Sequence, residues 1–526
     1  MKTSFWYLPL LFVFAFFSCK PAQKSASAGK DDGVIEVVFL QLNDVYEISP
    51  LSDNSGGLAR VASIRKSLLA KNPNTFTVLA GDFISPSVIG TLRYESKRIR
   101  GRQMVETLNT LGLDWVVFGN HEFDYDDLAD LQARLDESNF VWLAANAKQK
   151  SGDNIHAFAR HKPAGALPCP GEMVVPVKDA DGTTINIGVF GVLVNTGQKP
   201  FVVYSDAFAA AKESHEILRA KTDIIVGLTH LDIEDDLKLA GMLPDMPLIM
   251  GGHDHDNMIH RVGKTTVAKA DANARTVYVH TLRYDKKSKK TTVKSELRRV
   301  DGNIPNEPAT ASVVAKWEKI KNESLSTAGF DADKKVIDLS TPLDCREAVV
   351  RHQQAPVGQL IVGAMLAAAK TQPECAILNS GSIRVDDVLS GTLTELDVVR
   401  MLPFGGGISE VDMRGKLLRR TLDAGLQNKG KGGYLQWGHI TRDEDKKLWL
   451  INAKPLDDTK IYRVVLPDFL LTGNETNMDF LKTAAKTDSK GTTNPDILNW
   501  VKGDPADKSD LRNDIRLALI DFLRKR

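Results

Sequence analysis

Cysteine is scarce in this chain, with four in 526 residues, and Cys19 stands apart from the other three near the N-terminus. Cys169, Cys345 and Cys375 have no metal-binding spacing, and an odd number cannot close a disulfide framework. They permit one disulfide with a leftover thiol, or none. An excess of charge of one sign is also missing: 68 Lys and Arg stand against 67 Asp and Glu, a formal net charge of +1. That balance gives no bulk attraction to a nucleic acid polymer, so any anionic ligand must be met by a local site. Internal repeats and long low-complexity segments are absent. What remains is the composition of a soluble globular protein, 26% charged and 42% hydrophobic.

The one long uncharged apolar run covers residues 5–17, follows Lys2 and precedes Ser18-Cys19. It is shorter than the roughly 20 residues that span a bilayer. A short positive region, an apolar stretch and a small residue before the cut make residues 1–19 an export signal. Phe16-Phe17-Ser18-Cys19 resembles the lipobox of bacterial lipoproteins, which implies lipidation of Cys19, with ordinary signal cleavage near the same place as the alternative. Residues 20–33, rich in Ser, Ala, Lys and Asp, read as a flexible tether. The expectation is an exported protein in the periplasm or at the cell surface, touching the membrane only through its lipid.

The length exceeds a single hydrophobic core, so two domains are expected. Across 34–305 short apolar runs alternate with amphipathic stretches such as 58–69 and 126–135, a layered α/β pattern. Two prolines, a glycine and two asparagines in 301–308 mark a boundary. A linking helix is expected within 306–334, with Val313, Val314, Trp317 and Ile320 at helical spacing. The second domain, 335–526, mixes strands and helices and ends in a helix with Leu511, Ile515, Leu519 and Phe522 on one face.

Chemistry concentrates at the ends of five apolar runs. Residues 34–42 end in Asn43-Asp44-Val45-Tyr46, residues 75–80 in Gly81-Asp82, and residues 115–118 in Gly119-Asn120-His121-Glu122, with Asp124 close behind. Residues 223–228 end in Thr229-His230, and residues 248–250 in Gly251-Gly252-His253-Asp254-His255. One His or Asp at a strand end is ordinary turn chemistry. Five in series place oxygen and nitrogen donors along the carboxyl rim of a sheet, where α/β folds gather ligands. The pattern predicts a polynuclear metal site, with two ions.

These motifs resemble the two-domain 5'-nucleotidase family over nearly all of the chain after residue 33. The first half carries, in order, Asn43-Asp44-Val45-Tyr46, Gly57-Leu58-Ala59-Arg60, Gly81-Asp82, the Gly119–Asp124 motif, His230, and Gly252-His253-Asp254-His255. The resemblance implies a calcineurin-like metallophosphoesterase domain of four layers, αββα. The second half is similar to the family's mixed α/β nucleotide-specificity domain. It carries Asn379-Ser380-Gly381-Ser382-Ile383-Arg384, Leu402-Pro403-Phe404-Gly405-Gly406 and Gly432-Gly433-Tyr434-Leu435-Gln436, with Arg351 seven residues before Gly358-Gln359-Leu360-Ile361. Read from the residues themselves, Arg351 and Arg384 offer planar forks to phosphate oxygens, Asn379 an amide for hydrogen bonding, and Phe404 a face for a base.

By the family's pattern Asp82 bridges two divalent ions (Zn, Mn or Mg), Asp44 and His255 serve one, and Asn120, His230 and His253 serve the other. Two such ions about 3.5–4 Å apart activate a water and neutralise phosphate. His121 would then protonate the leaving oxygen, held charged by Asp124. The activity implied is release of phosphate from nucleoside 5'-monophosphates. The alternatives are a 2',3'-cyclic-nucleotide phosphodiesterase or 3'-nucleotidase on the same plan, and a nucleotide-binding lipoprotein with an impaired centre.

The chain departs from the family in three places. Tyr46 replaces the histidine of an Asp-x-His motif. A tyrosinate beside Asp44, Asp82 and His255 would favour iron at that corner; the alternative is a neutral phenol bonded to water beside a divalent ion. The run Thr472-Gly473-Asn474-Glu475-Thr476-Asn477-Met478-Asp479-Phe480 replaces a Gly-Gly-Asp-aromatic segment, which leaves Phe480 as the nearest second stacking aromatic. Gln354 stands where the family has glutamate.

Overall fold

The strand Val34–Leu42 is buried on both faces from Val37 onward, as a central strand covered on two sides must be. It lies third in a six-stranded sheet of order Lys290–Arg299, Thr276–Asp285, Val34–Leu42, Thr75–Ala80, Trp115–Val117, Val141–Leu143. The last four are parallel, and the pairings Leu42 with Leu79 and Ala80 with Val117 bring their carboxyl ends to one rim. A second six-stranded sheet runs Glu172–Lys178, Thr184–Leu193, Ile224–His230, Leu248–Gly251, Thr265–Lys269, Met258–Val262. This computed structural model describes residues 31–51, 53–196, 199–385, 387–484 and 492–526. The apolar run at 5–17, Cys19 and most of the tether lie outside the described residues.

The two sheets face each other through Val37, Phe39, Val78 and Val117 on one side and Ile187, Val226, Leu228 and Met250 on the other. Each such side chain contributes about 1.5–3 kcal/mol by leaving water. Helices Leu58–Leu69, Arg102–Leu111 and Leu128–Glu137 cover the outer face of the first sheet. Helices Ala207–Arg219 and Ile233–Met242 cover that of the second. The layers are αββα, as the resemblance implied.

The second domain is built on a mixed five-stranded sheet, Leu435–Gly438, Cys375–Asn379, Ile461–Pro467, Ile408–Arg414, Ile497–Val501. Helices Pro356–Ala368 and Ile515–Arg524 pack on one face and Gly415–Gln427 on the other. The helix Pro308–Thr327 buries Trp317 in the first domain's core and Leu325 in the second's, so it belongs to both. The last helix begins at Ile515, later than the periodicity placed it, because Asp514 caps it through the Arg516 N–H while Leu511–Asn513 forms a separate turn. Cys169, Cys345 and Cys375 are buried and no two of them are joined, so of the disulfide alternatives the structure has none among these three. No helix among the described residues is long and apolar enough to cross a membrane.

Candidate metal centre and substrate cleft

The parallel strands of both sheets end at the same rim, and the residues just past those ends meet there. His230 Nε2 lies 3.1 Å from Asp82 Oδ2 and 3.2 Å from Asn120 Oδ1. Asp82, His230 and His253 offer donor atoms that all lie within 4.8 Å of one another. On the other side of Asp82, His255 Nε2 stands 3.4 Å from Asp44 Oδ1 and 3.0 Å from the Tyr46 hydroxyl, which is itself 3.3 Å from Asp82 Oδ2. The rim thus holds all seven candidate ligands, Asp44, Tyr46, Asp82, Asn120, His230, His253 and His255, with Asp82 between two groups of them.

The backbone is strained where these donors sit. Asp44, Asp82, His253 and His255 all have positive φ, at 53°, 55°, 83° and 63°, a conformation that costs side-chain-bearing residues about 1–3 kcal/mol each and clusters at functional sites. Neighbouring polar groups hold it. The Asn43 amide donates to Asp44 Oδ2 (2.9 Å) and to Ala270 O (2.9 Å), and accepts from Ala270 N–H (2.7 Å). Glu122, buried at 1% exposure, accepts four backbone N–H groups: Gly119 (2.7 Å), Asp82 (2.9 Å), Phe83 (2.8 Å) and Ile84 (3.1 Å). Burial and the Asp82 charge push Glu122 up to about 7; four donors converge on its oxygens, so we assign it the ionised form. Glycine is required at 119, where a Cβ would stand 2.1 Å from Asp82 Oδ1.

The donor set fits divalent cations. Asp44 Oδ1 is buried and makes no well-formed hydrogen bond, facing only His255 Nε2 at 3.4 Å and His230 Nε2 at 4.0 Å, and a buried carboxylate oxygen so weakly met is costly unless a cation reaches it. Asp44 is fully buried, which works against its charge, yet His255 and His230 hold it well below the usual carboxylate range. Burial opposes charge on His230 as well, but Asp82 outweighs it and lifts His230 to about 9. Carboxylates, imidazoles and an amide oxygen are the donors that zinc and manganese take.

Beside the centre, His121 Nδ1 lies 3.0 Å from Asp124 Oδ2, while its Nε2 faces Asp82 Oδ2 at 3.9 Å. Burial disfavours the imidazolium, but Asp124 and Asp82 raise His121 to about 9. Asp124 also accepts the Ser85 hydroxyl at 2.8 Å.

The second domain reaches this pair directly. Arg384 Nη2 donates to Asp124 Oδ2 at 2.8 Å and lies 3.2 Å from His121 Nδ1. Its guanidinium also stands 3.6 Å from Glu347 and 5.9 Å from the Phe404 ring centroid. Arg351 pairs with the same Glu347. Asn379 donates to Glu475 Oε2 at 2.8 Å. Phe404 is 59% exposed, a position packing does not explain. Phe480 lies elsewhere: it packs against the core beneath helix Gly415–Gln427, with the Arg420 guanidinium 3.9 Å above its ring.

Sequence reasoning passed over four residues here. Glu122 was in plain view inside the Gly119–Asp124 motif, and its clamp role depends on loop geometry. Glu347 and Glu475 gave no signal as isolated carboxylates. Phe469, 45% exposed, follows the strand Ile461–Pro467, and the Asp468 N–H bonds Gly407 O at 3.0 Å, so Phe469 and Phe404 belong to adjoining loops at one end of the sheet.

A layered αββα domain with a two-sided His/Asp/Asn cluster at its rim, faced by arginines from a second domain, defines a metal-dependent phosphoesterase. Residues 37–257 match the family described as calcineurin-like phosphoesterase, and residues 335–483 match the 5'-nucleotidase C-terminal domain. The chain belongs to the two-domain 5'-nucleotidase family of metal-dependent nucleotide phosphoesterases. It is similar to the 5'-nucleotidase of Bos taurus, 25% identical over 503 residues, covering 84% of this chain and 83% of that protein. It also resembles the trifunctional nucleotide phosphoesterase YfkN of Bacillus subtilis, 27% identical over 440 residues, 76% of this chain but 28% of that one. The solved 5'-nucleotidase precursor of Thermus thermophilus shares the fold at a TM-score of 0.69, with 21% identity over 93% of this chain and 96% of the other.

Proposed function

We propose that this enzyme hydrolyses nucleoside 5'-monophosphates to nucleoside and phosphate, with Asp44, Tyr46, Asp82, Asn120, His230, His253 and His255 holding two metal ions. The observation that carries the reading is Arg384, a second-domain cation lying on the His121–Asp124 pair beside the metal cluster. A phosphate placed between the rim and Arg384 would meet a planar fork on one side and the donor cluster on the other.

When bound, the two ions supply Lewis acidity for the phosphate oxygens and activate the attacking water. His121 carries its proton at neutral pH and presents Nε2 toward the cluster, so it delivers that proton to the leaving 5' oxygen. Asp124 fixes the ring through Nδ1 and stabilises the charged form. Arg384 and Arg351, steadied by Glu347, bind phosphate oxygens, and Asn379 with Glu475 bonds the sugar side. Phe404 takes one face of the base. Phe469, rather than Phe480, is the second aromatic of that clamp, because it is exposed beside the Phe404 loop whereas Phe480 is turned under Arg420.

Zinc, manganese or magnesium fits the His230 side, and the Tyr46 oxygen, within reach of Asp82 and His255, makes iron a fitting ion at the other. Residues 34–305 and 335–526 act as the metal and nucleotide domains about the helix in 306–334. Export and lipid attachment at Cys19 place the enzyme in the periplasm or at the cell surface. The rival reading, a 2',3'-cyclic phosphodiesterase or 3'-nucleotidase, draws on the likeness to a trifunctional nucleotide phosphoesterase. Turnover of 5'-, 3'- and 2',3'-cyclic nucleotides, each with several divalent metals and followed as free phosphate for the monoesters and as ring-opened monophosphate for the cyclic diester, separates the two; preference for a cyclic or 3' substrate refutes the proposal.

A further inference from the structure

Beneath the loop that carries His253 and His255 lies a lysine sealed from solvent. Lys269 ends the strand Thr265–Lys269 at 0% exposure, among Val267, Ala268 and Ala270, where an apolar side chain would be the ordinary choice. Its Nζ donates to Leu231 O at 2.5 Å and Gly252 O at 2.8 Å. It also pairs with the carboxylates of Asp254 and of Asp236, the latter at 3.0 Å. Asp236 in turn accepts the Thr229 hydroxyl at 2.7 Å. Gly251 rests on the pair: a Cβ there would stand 2.6 Å from Asp236 Oδ2 and 2.9 Å from Lys269 Cε.

The partners of this ammonium are not scattered. Thr229 and Leu231 flank His230, Gly252 and Asp254 flank His253, and Asp254 precedes His255. One buried cation therefore touches the chain on both sides of His253, just after His230 and just before His255, and reaches Thr229 on the other side of His230 through Asp236. Its three N–H groups meet four acceptors, so its position is over-determined. A buried ammonium is retained against its desolvation cost only with such partners, and groups that orient metal ligands from behind tune the site they support.

We propose that Lys269, together with Asp236, is the positioning residue of the metal centre, fixing the backbone that carries His230, His253 and His255. The inference rests on the two-metal reading above. It has a distinguishing sign. An ammonium near cations repels them, so a lysine acting only through its charge lowers metal affinity, and its removal tightens binding. A lysine that holds the ligand loops in place raises affinity, and its removal weakens binding.

The test uses the full chain, stripped of metal and titrated with Mn²⁺ by calorimetry. Lys269→Met is expected to weaken Mn²⁺ binding by about 10–100-fold. Because that variant strands the buried Asp236 carboxylate and the half-buried Asp254, Lys269→Met/Asp236→Asn and the milder Asp254→Asn are measured beside it. In the double variant the unfolding temperature of the stripped protein is expected to recover toward wild type while the Mn²⁺ Kd stays weak. Asp254→Asn, at a carboxylate 20% exposed, is expected to weaken binding in the same direction. Wild-type or tighter Mn²⁺ binding in either of these two variants overturns the positioning role. Wild-type protein that takes up no Mn²⁺ overturns the metal reading itself, a result separable from the first.

Discussion

Replacing Glu122 by Gln changes one oxygen to an amide nitrogen and should cost both stability and metal. The carboxylate divides its four donors evenly: Oε1 takes Phe83 and Ile84, Oε2 takes Asp82 and Gly119. Whichever way the glutamine amide is turned, its NH₂ faces two backbone N–H groups that have lost their acceptor. Each buried, unsatisfied N–H costs about 1–3 kcal/mol, so the pair costs about 2–6 kcal/mol before any donor–donor repulsion. In a domain of this size, at about 2 °C per kcal/mol, that lowers the unfolding temperature by about 4–12 °C. The loss falls on the loop holding Asp82 at φ 55°, so the Asp82 carboxylate loses its fixed aim as well. Thermal unfolding of metal-stripped protein and elemental analysis of metal-loaded protein read the two effects separately. Should Glu122→Gln keep both its unfolding temperature and two metals per chain, the clamp would not be what holds this loop.

His121→Ala should lower turnover by about 10²–10⁴, the range of a general acid, with metal content unchanged; Asp82→Ala should remove both, and loss of metal in the His121 variant refutes its assignment. Arg384→Ala, Phe404→Ala and Phe469→Ala should slow nucleotide turnover while sparing a generic aryl phosphate, whereas equal losses on both substrates mark them as supports of the fold. Because His230 stands near 9 in the metal-free chain and must be neutral to ligate, metal uptake at pH 7.5 should release a proton. Affinity should fall as pH drops below that value and level off above it. Calorimetry in buffers of different ionisation heat measures the release, and none at that pH contradicts the His230 role. Iron-loaded, oxidised protein should show a visible tyrosinate charge-transfer band that Tyr46→Phe abolishes; a colourless wild type rules out Tyr46 as a ligand.

The sequence alone determined the class of fold and the donors at the rim, because both are written in local patterns. Apolar runs such as Val34–Leu42 specify buried strands, and the residues just after each run fall at the sheet's carboxyl rim by topology. The proposed aromatic clamp was not legible that way. Phe480 is nearer the expected motif position, but only tertiary packing shows it turned under Arg420 while Phe469 stays open beside the Phe404 loop. Glu122 looked like one residue of a motif until the loops folded round it and aimed four N–H groups at its carboxylate. Lys269 carries no sequence signal at all. A lysine ending an apolar strand reads as a solvated edge, and its burial depends on Asp236 and Asp254 arriving from elements 33 and 15 residues away. Arg384 offered a planar fork in the sequence, but its place on Asp124 arises from how two domains with separate cores close on one cleft, which no local pattern encodes.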